Sequence, residues 1–226
     1  MQGVTEQRQE QTQATLRVGV TGHRYVASAG VGADPLRDRV RAVFAFLWQT
    51  VVDSAPSGSQ PVLVVVSPLA EGADRLIAHE AVANGFPLHC PLPFARAEYE
   101  RDFSGAASRA EYRDLLARAA VVTELPGSPE RREAAYEAVG RIVIDQSDLL
   151  VAIWDGEAAR GGGGTAHVVR DALDRQVPVI WIAARSPYLI DVLTHPPCAD
   201  QRGEPLDTLV PRIGARIRRL SAGDAG

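Results

Sequence analysis

The chain has 226 residues, 46% of them apolar, and a formal net charge of −4. That is long enough for one full-sized core, and no uninterrupted apolar stretch is long enough to span a bilayer. All 24 basic residues are arginine, so lysine chemistry such as a Schiff base or a Walker lysine is excluded.

The segment 1–15 is rich in Gln and Glu and has no apolar signal core. It reads as a disordered tail ahead of one domain over 16–220, with 221–226 as a frayed end. The missing export signal and membrane span point to a cytoplasmic protein. Cys90 and Cys198 form no CxxC, and Cys90 sits in an apolar run, so neither a metal site nor a disulfide framework is expected.

Apolar runs of strand length alternate with helical patterns along the chain. Leu16 to Val20 reads as a first strand. Pro35 to Val52 reads as a helix, with Val40, Val43, Phe44, Leu47 and Val51 at helical spacing and Asp34 as its cap. Pro61 to Val66 is a second strand, and its Val and Leu content suits burial on both faces of a parallel sheet. Glu71 to Asn84 is a helix closed by Gly85, and Phe86 to Leu92 a third strand. Beyond the polar stretch from Pro93 to Leu116, a short strand falls at Val121 to Leu125 and a helix at Pro129 to Gln146. Asp148 to Trp154 is a strand, Thr165 to Arg175 a helix, Val177 to Ile182 the last strand, and Leu206 to Leu220 a terminal helix. This succession predicts an α/β fold in three layers, a parallel sheet with helices on both faces.

Ligands of such sheets bind beyond the carboxyl ends of the strands. Three loops at those ends carry ligand-type residues. The first is Thr21-Gly22-His23-Arg24, a tight turn followed by a phosphate-type arginine. The second runs from Ser67 through Glu71, Gly72, Ala73 and Asp74, where small residues start a helix and two acids either serve its dipole or meet a ribose hydroxyl. The third follows Asp155 and Gly156. Four glycines, Gly161, Gly162, Gly163 and Gly164, run into Thr165, so a glycine turn leads into free helix amides, the parts of an anion cradle. No GK[ST] follows these glycines, and the first strand lacks GxGxxG, so neither a Walker motif nor an ordinary dehydrogenase is expected. Tyr99 and Phe103 stand four apart, placed either to stack on a base or to pack into the core. His79, His89, His167 and His195 form no triad or metal spacing. The acidic balance disfavours nucleic acid.

Taken in order, Val18 to Arg24, Ser67 to Asp74, and Asp148 to Gly156 followed by Gly161 to Thr165 resemble the SLOG superfamily, which includes the LOG phosphoribohydrolases and the DprA-type fold. The resemblance implies a Rossmann-like fold, a nucleotide-derived ligand such as a nucleoside monophosphate or an ADP-ribose-like molecule, and a dimer. LOG enzymes carry PGGxGTxxE in the glycine loop. Here Gly161, Gly162, Gly164 and Thr165 match, Arg160 replaces the proline and Val168 replaces the catalytic acid. A valine cannot assist bond cleavage by proton transfer. The resemblance therefore implies a nucleotide sensor that passes its signal to a separate effector, and not a LOG hydrolase. Two alternatives stand beside it: an N-glycosidic hydrolase or transferase using Asp155, Glu71 or Asp74 as a non-standard acid, and a DprA-like DNA-binding protein.

Overall fold

The computed structural model describes residues 12–24, 34–157, 164–195 and 203–223. Seven strands form one sheet, in the order β4-β3-β2-β1-β5-β6-β7. These are β1 (Gln13–Gly22), β2 (Gln60–Val66), β3 (Leu88–Leu92), β4 (Val121–Glu124), β5 (Leu149–Trp154), β6 (Val179–Ala183) and β7 (Ile190–Leu193). All neighbours pair in parallel except β6 and β7. The helices are α1 (Pro35–Ser54), α2 (Ala73–Ala83), α3 (Arg96–Tyr99), α4 (Gly105–Ala117), α5 (Arg132–Asp145), α6 (Thr165–Asp174) and α7 (Val210–Gly223).

The sheet separates two apolar cores. Period-two alternation sends Leu149, Val151 and Ile153 of β5 to one face and Leu150, Ala152 and Trp154 to the other. The first core takes Val40, Phe44 and Leu47 of α1, Ile77 of α2, and Ile213 and Ile217 of α7. The second takes Val143 and Ile144 of α5 and Val169, Ala172 and Leu173 of α6. A strand buried on both faces has no polar alternation, which is why β2 and β5 read as continuous apolar runs.

Several boundaries differ from the sequence reading. β1 starts at Gln13, inside the expected tail, because Gln13, Ala14 and Thr15 pair with Gln60, Pro61 and Val62. Residues 1–11 lie outside the described residues. Val177 to Ile182 is not the last strand: β7 follows it and adds antiparallel to β6. α2 begins two residues later than expected, behind Gly72 as N-cap. The expected helix from Pro129 opens instead as a 3-10 turn, Pro129–Arg131, before α5. Likewise Leu206–Leu209 is a 3-10 turn before α7, which continues to Gly223 through the first half of the expected frayed end. Cys90 is buried in the first core, and Cys198 lies outside the described residues. Among the described residues no helix is long and apolar enough to cross a membrane.

Candidate functional site

β1 pairs with β2 on one side and β5 on the other. The chain winds outward from β1 in both directions, so the carboxyl ends of β1 and β5 flank the point where strand order reverses. A cleft of about 310 Å³ opens there. Thr21, Gly22 and Arg24 reach it from the end of β1, Pro68, Ala70 and Asp74 from the β2–α2 connection, and Gly164, Thr165 and Val168 from the start of α6. Its remaining wall is α5 with Tyr136, Val139, Gly140 and Val143, together with the buried ring of Tyr99.

Close backbone approach fixes this geometry. A Cβ on Gly22 would lie 2.3 Å from the Ala73 Cβ and 2.8 Å from the Ile153 carbonyl. Gly72 has φ +85°, and a Cβ there would lie 2.2 Å from the Arg24 carbonyl and 2.4 Å from that of His23. The Ala73 amide donates to the His23 carbonyl at 3.0 Å, tying the start of α2 to the end of β1. Gly72→Ala combines a left-handed backbone with a backbone collision. It is expected to cost about 2–4 kcal/mol in urea denaturation, whereas Gly58→Ala, with open space around an equally positive φ, costs about 1 kcal/mol.

Arg24 lies over the Tyr136 ring, 5.5 Å from its centroid, and the Tyr136 hydroxyl donates to Asp102. Asp74 is 4% exposed. Burial pushes its carboxyl up to about 7, against the opposing pull of the Ala70 amide, which donates at 3.3 Å, and of Arg24 and Arg75. Gly164 caps α6 with extended backbone, φ −78° and ψ 168°, and makes no side-chain cap. The first amides of a ten-residue helix thus face the same opening as a guanidinium. An anion fits this arrangement, with a carboxyl beside it able to bond a hydroxyl.

The other expected residues lie around the cleft. The His23 amide donates to the Ile153 carbonyl at 3.1 Å. Its Nε2 accepts the Asp155 amide at 3.2 Å and lies 3.1 Å from Asp155 Oδ1, so His23 latches β1 to β5. Burial raises the Asp155 carboxyl, but the Glu157 amide, His23 and Arg185 outweigh it and hold the group below its usual range. Ser67 is buried and its Oγ accepts from the Leu69 amide. Glu71 accepts from the Ser108 hydroxyl and so turns toward α4. Gly72 and Ala73 are packing residues of the turn, and Gly156 lies against Trp181. Tyr99 and Phe103 are both buried, ring edge to ring face at 4.8 Å; Tyr99 still contributes to the cleft wall, whereas Phe103 is not among its lining residues and is covered by Arg75 at 4.2 Å. Gly161, Gly162 and Gly163 lie outside the described residues. Sequence reasoning missed the α5 wall, because Val139, Gly140 and Val143 read as an ordinary buried helix face. Among the described residues no group of His, Cys, Asp and Glu could hold a metal.

Strand order, layering and a cleft at the reversal point define an α/β protein of the Rossmann-like class. No protein-family profile matches the chain, and no curated protein matches it in sequence. In fold it is similar to DNA processing protein A (DprA) from Streptococcus pneumoniae, with a TM-score of 0.49 and 18% identity over 74% of this chain and 50% of that one. It is also similar to the Helicobacter pylori DprA, a structure concerned with single-stranded DNA binding, with a TM-score of 0.45 and 15% identity over 92% and 81%. A third similar structure is that of TM1055, with a TM-score of 0.39 and 17% identity over 73% and 72%. The chain spans half the length of the S. pneumoniae protein.

Proposed function

We propose that this protein binds a phosphate-bearing nucleotide derivative in the switch-point cleft and acts as a sensor for a separate effector. One observation carries the reading: Arg24, Asp74 and the amino end of α6 line a single opening. The phosphate sits on the first amides of α6, beside Arg24. Asp74 meets a sugar hydroxyl. Val168, 7% exposed, presents methyl groups to the cleft where the resemblance implies an acid, which favours binding over LOG-type cleavage.

Calorimetry with AMP, ADP-ribose and a cyclic dinucleotide tests this, with Gly164→Asp as the key variant. A Cβ at Gly164 meets nothing within 4 Å, and its extended backbone suits an aspartate N-cap, so the fold is retained. The new carboxylate occupies the amides that the phosphate needs. Affinity is expected to fall at least about tenfold, the worth of roughly 1.4 kcal/mol. Unchanged affinity would remove the α6 terminus from the account.

A second reading, N-glycosidic hydrolysis, is favoured by one feature. Of the three acids the sequence offered, Asp74 lines the cleft, while Asp155 and Glu71 are engaged beside it. Its raised pKa suits proton donation to a leaving base. Chromatography of each incubated nucleotide separates the readings. Free base released by the wild type and lost in Asp74→Asn makes the protein an enzyme; intact nucleotide leaves it a binder. A single-stranded oligonucleotide, titrated in parallel at two salt concentrations, tests the DNA-binding alternative.

A further inference from the structure

α5 has a second face, turned away from the ligand cleft. Arg131, Ala134, Ala138, Arg141, Ile142 and Asp145 lie along it and line a groove of about 470 Å³. The opposite wall is the segment from Leu125 to Ser128 that follows β4. All six residues are exposed except Ile142, which is half-buried. Nearby, β4 is the open edge of the sheet, and Val121 on it is 44% exposed.

The two end charges of this face stand symmetrically about Ala138, while Arg141 between them lies 3.4 Å from Glu137 of its own helix. Arg131 and Asp145 each stand seven residues from it, and Ala134 and Ile142 each stand four. A second α5 laid antiparallel across a twofold axis at Ala138 brings Arg131 against Asp145 at both ends. It also brings Ala134 against Ile142 on both sides, with alanine at the crossing point, where backbones must approach closely. A self-matching surface of this kind is what a twofold interface requires.

The helix dipole makes a separate argument. Arg131 is the N-cap of α5 and Asp145 its last residue. Each charge opposes the dipole of its own helix. In the antiparallel pair Arg131 meets the negative end of the partner helix, and Asp145 the positive end. The Arg131 guanidinium makes no ion pair among the described residues, whereas Asp145 is 2.5 Å from Arg175, the C-cap of α6. Arg175 also holds Asp171, so it keeps a partner if Asp145 changes.

We infer that this α5 face is the interface at which two copies of the chain associate, antiparallel about Ala138. The inference stands apart from the nucleotide reading. It does give that reading a route outward, because Tyr136, Val139, Gly140 and Val143 on the other side of α5 wall the ligand cleft.

Sedimentation equilibrium of the full chain, without ligand, is the test. The wild type is expected at twice the 24.2 kDa chain mass. Ala138→Arg, at an exposed position, is expected at the single-chain mass. Arg131→Asp places a preferred residue at the α5 N-cap, and Asp145→Arg a favourable charge at its carboxyl end. Each suits the dipole of its own helix, although Asp145→Arg gives up the Arg175 pair, and each is expected to raise the dimer dissociation constant at least about tenfold. The double variant R131D/D145R restores the ion pairs in reversed sense and is expected to recover a measurable part of the lost affinity, the remainder being the dipole contribution that the exchange turns against the dimer. A wild type that remains a single chain up to about 100 µM overturns the inference, since an interface of ordinary size binds more tightly than that. So does a dimer indifferent to Ala138→Arg, or one to which the double variant returns none of the lost affinity.

Discussion

Arg75→Ala is expected to remove about 3–5 kcal/mol of stability, measured as a lowered urea midpoint with an unchanged slope. Arg75 is 2% exposed. Its Nε donates to the Leu69 carbonyl at 3.1 Å. Its Nη1 donates to the Ser108 carbonyl at 2.8 Å, to the Ser108 Oγ at 2.9 Å and to Glu111 at 3.0 Å. The guanidinium lies over the Phe103 ring, its Cζ 4.2 Å from the centroid. One side chain thus fastens α2, the turn at Leu69 and the start of α4. Truncation opens a cavity and leaves the Leu69 carbonyl, in a fully buried residue, and the carbonyl of half-buried Ser108 without this donor. Leu69 itself has φ +59°, a strained conformation for a branched side chain, which makes that carbonyl bond more valuable. Arg75→Lys is expected to recover little, since an ammonium cannot span the two directions a guanidinium fork reaches. A loss below about 1 kcal/mol would mean that packing alone holds this corner.

Asp74→Asn is expected to act in the opposite direction, raising stability at pH 8 and changing it little at pH 4. The folded carboxyl is pushed up to about 7 from an ordinary 3.8. Between those values the folded protein holds a proton that the unfolded chain releases. Each rise in pH through that window therefore favours unfolding, and above 7 the penalty is complete. Its size is of order 4 kcal/mol. Asparagine has no charge to bury and escapes the penalty. Thermal melts of both proteins across pH 4 to 8 check this: the curves should diverge as pH rises and run parallel above 7. Curves that stay superimposed would show that Arg24 and Arg75 neutralise the carboxylate fully. A buried acid that weakens the fold at neutral pH, lining a cleft beside an arginine, has the profile of a group kept for function.

The fold was legible in the sequence where burial is complete. β2 and β5 are apolar throughout because both faces are covered, and the α1 core residues recur at helical spacing. Legibility failed at edges. Gln13 and Thr15 look like tail residues, yet backbone pairing with β2 draws them into β1 without help from their side chains. β7 is four residues long and carries Asp191, and it pairs antiparallel after a short turn, so neither a long apolar run nor a crossover helix announces it. At the site, Thr21, Gly22, Arg24, Asp74, Gly164 and Thr165 could be read because they lie just beyond strand-like runs. His23, Ser67 and Glu71 share that position but face the scaffold, a distinction that depends on side-chain direction and on Ser108 of α4, far along the chain. In the α5 wall only Tyr136 drew notice, as a ring that either stacks or packs; Val139, Gly140 and Val143 carried no local signal, since a helix face against a ligand cleft has the same period as one against a core.

The most direct test of the cleft is an amide chemical-shift titration of the isotope-labelled protein with AMP. Saturable shifts at Thr165, Ala166, Thr21 and Gly22 are expected, all lost in Arg24→Ala together with Gly164→Asp. Shifts confined to the arginine-bearing face of α7, around Arg212 and Arg216 at the opposite end of the sheet, or no shifts at all, would contradict the placement of a nucleotide at the switch point.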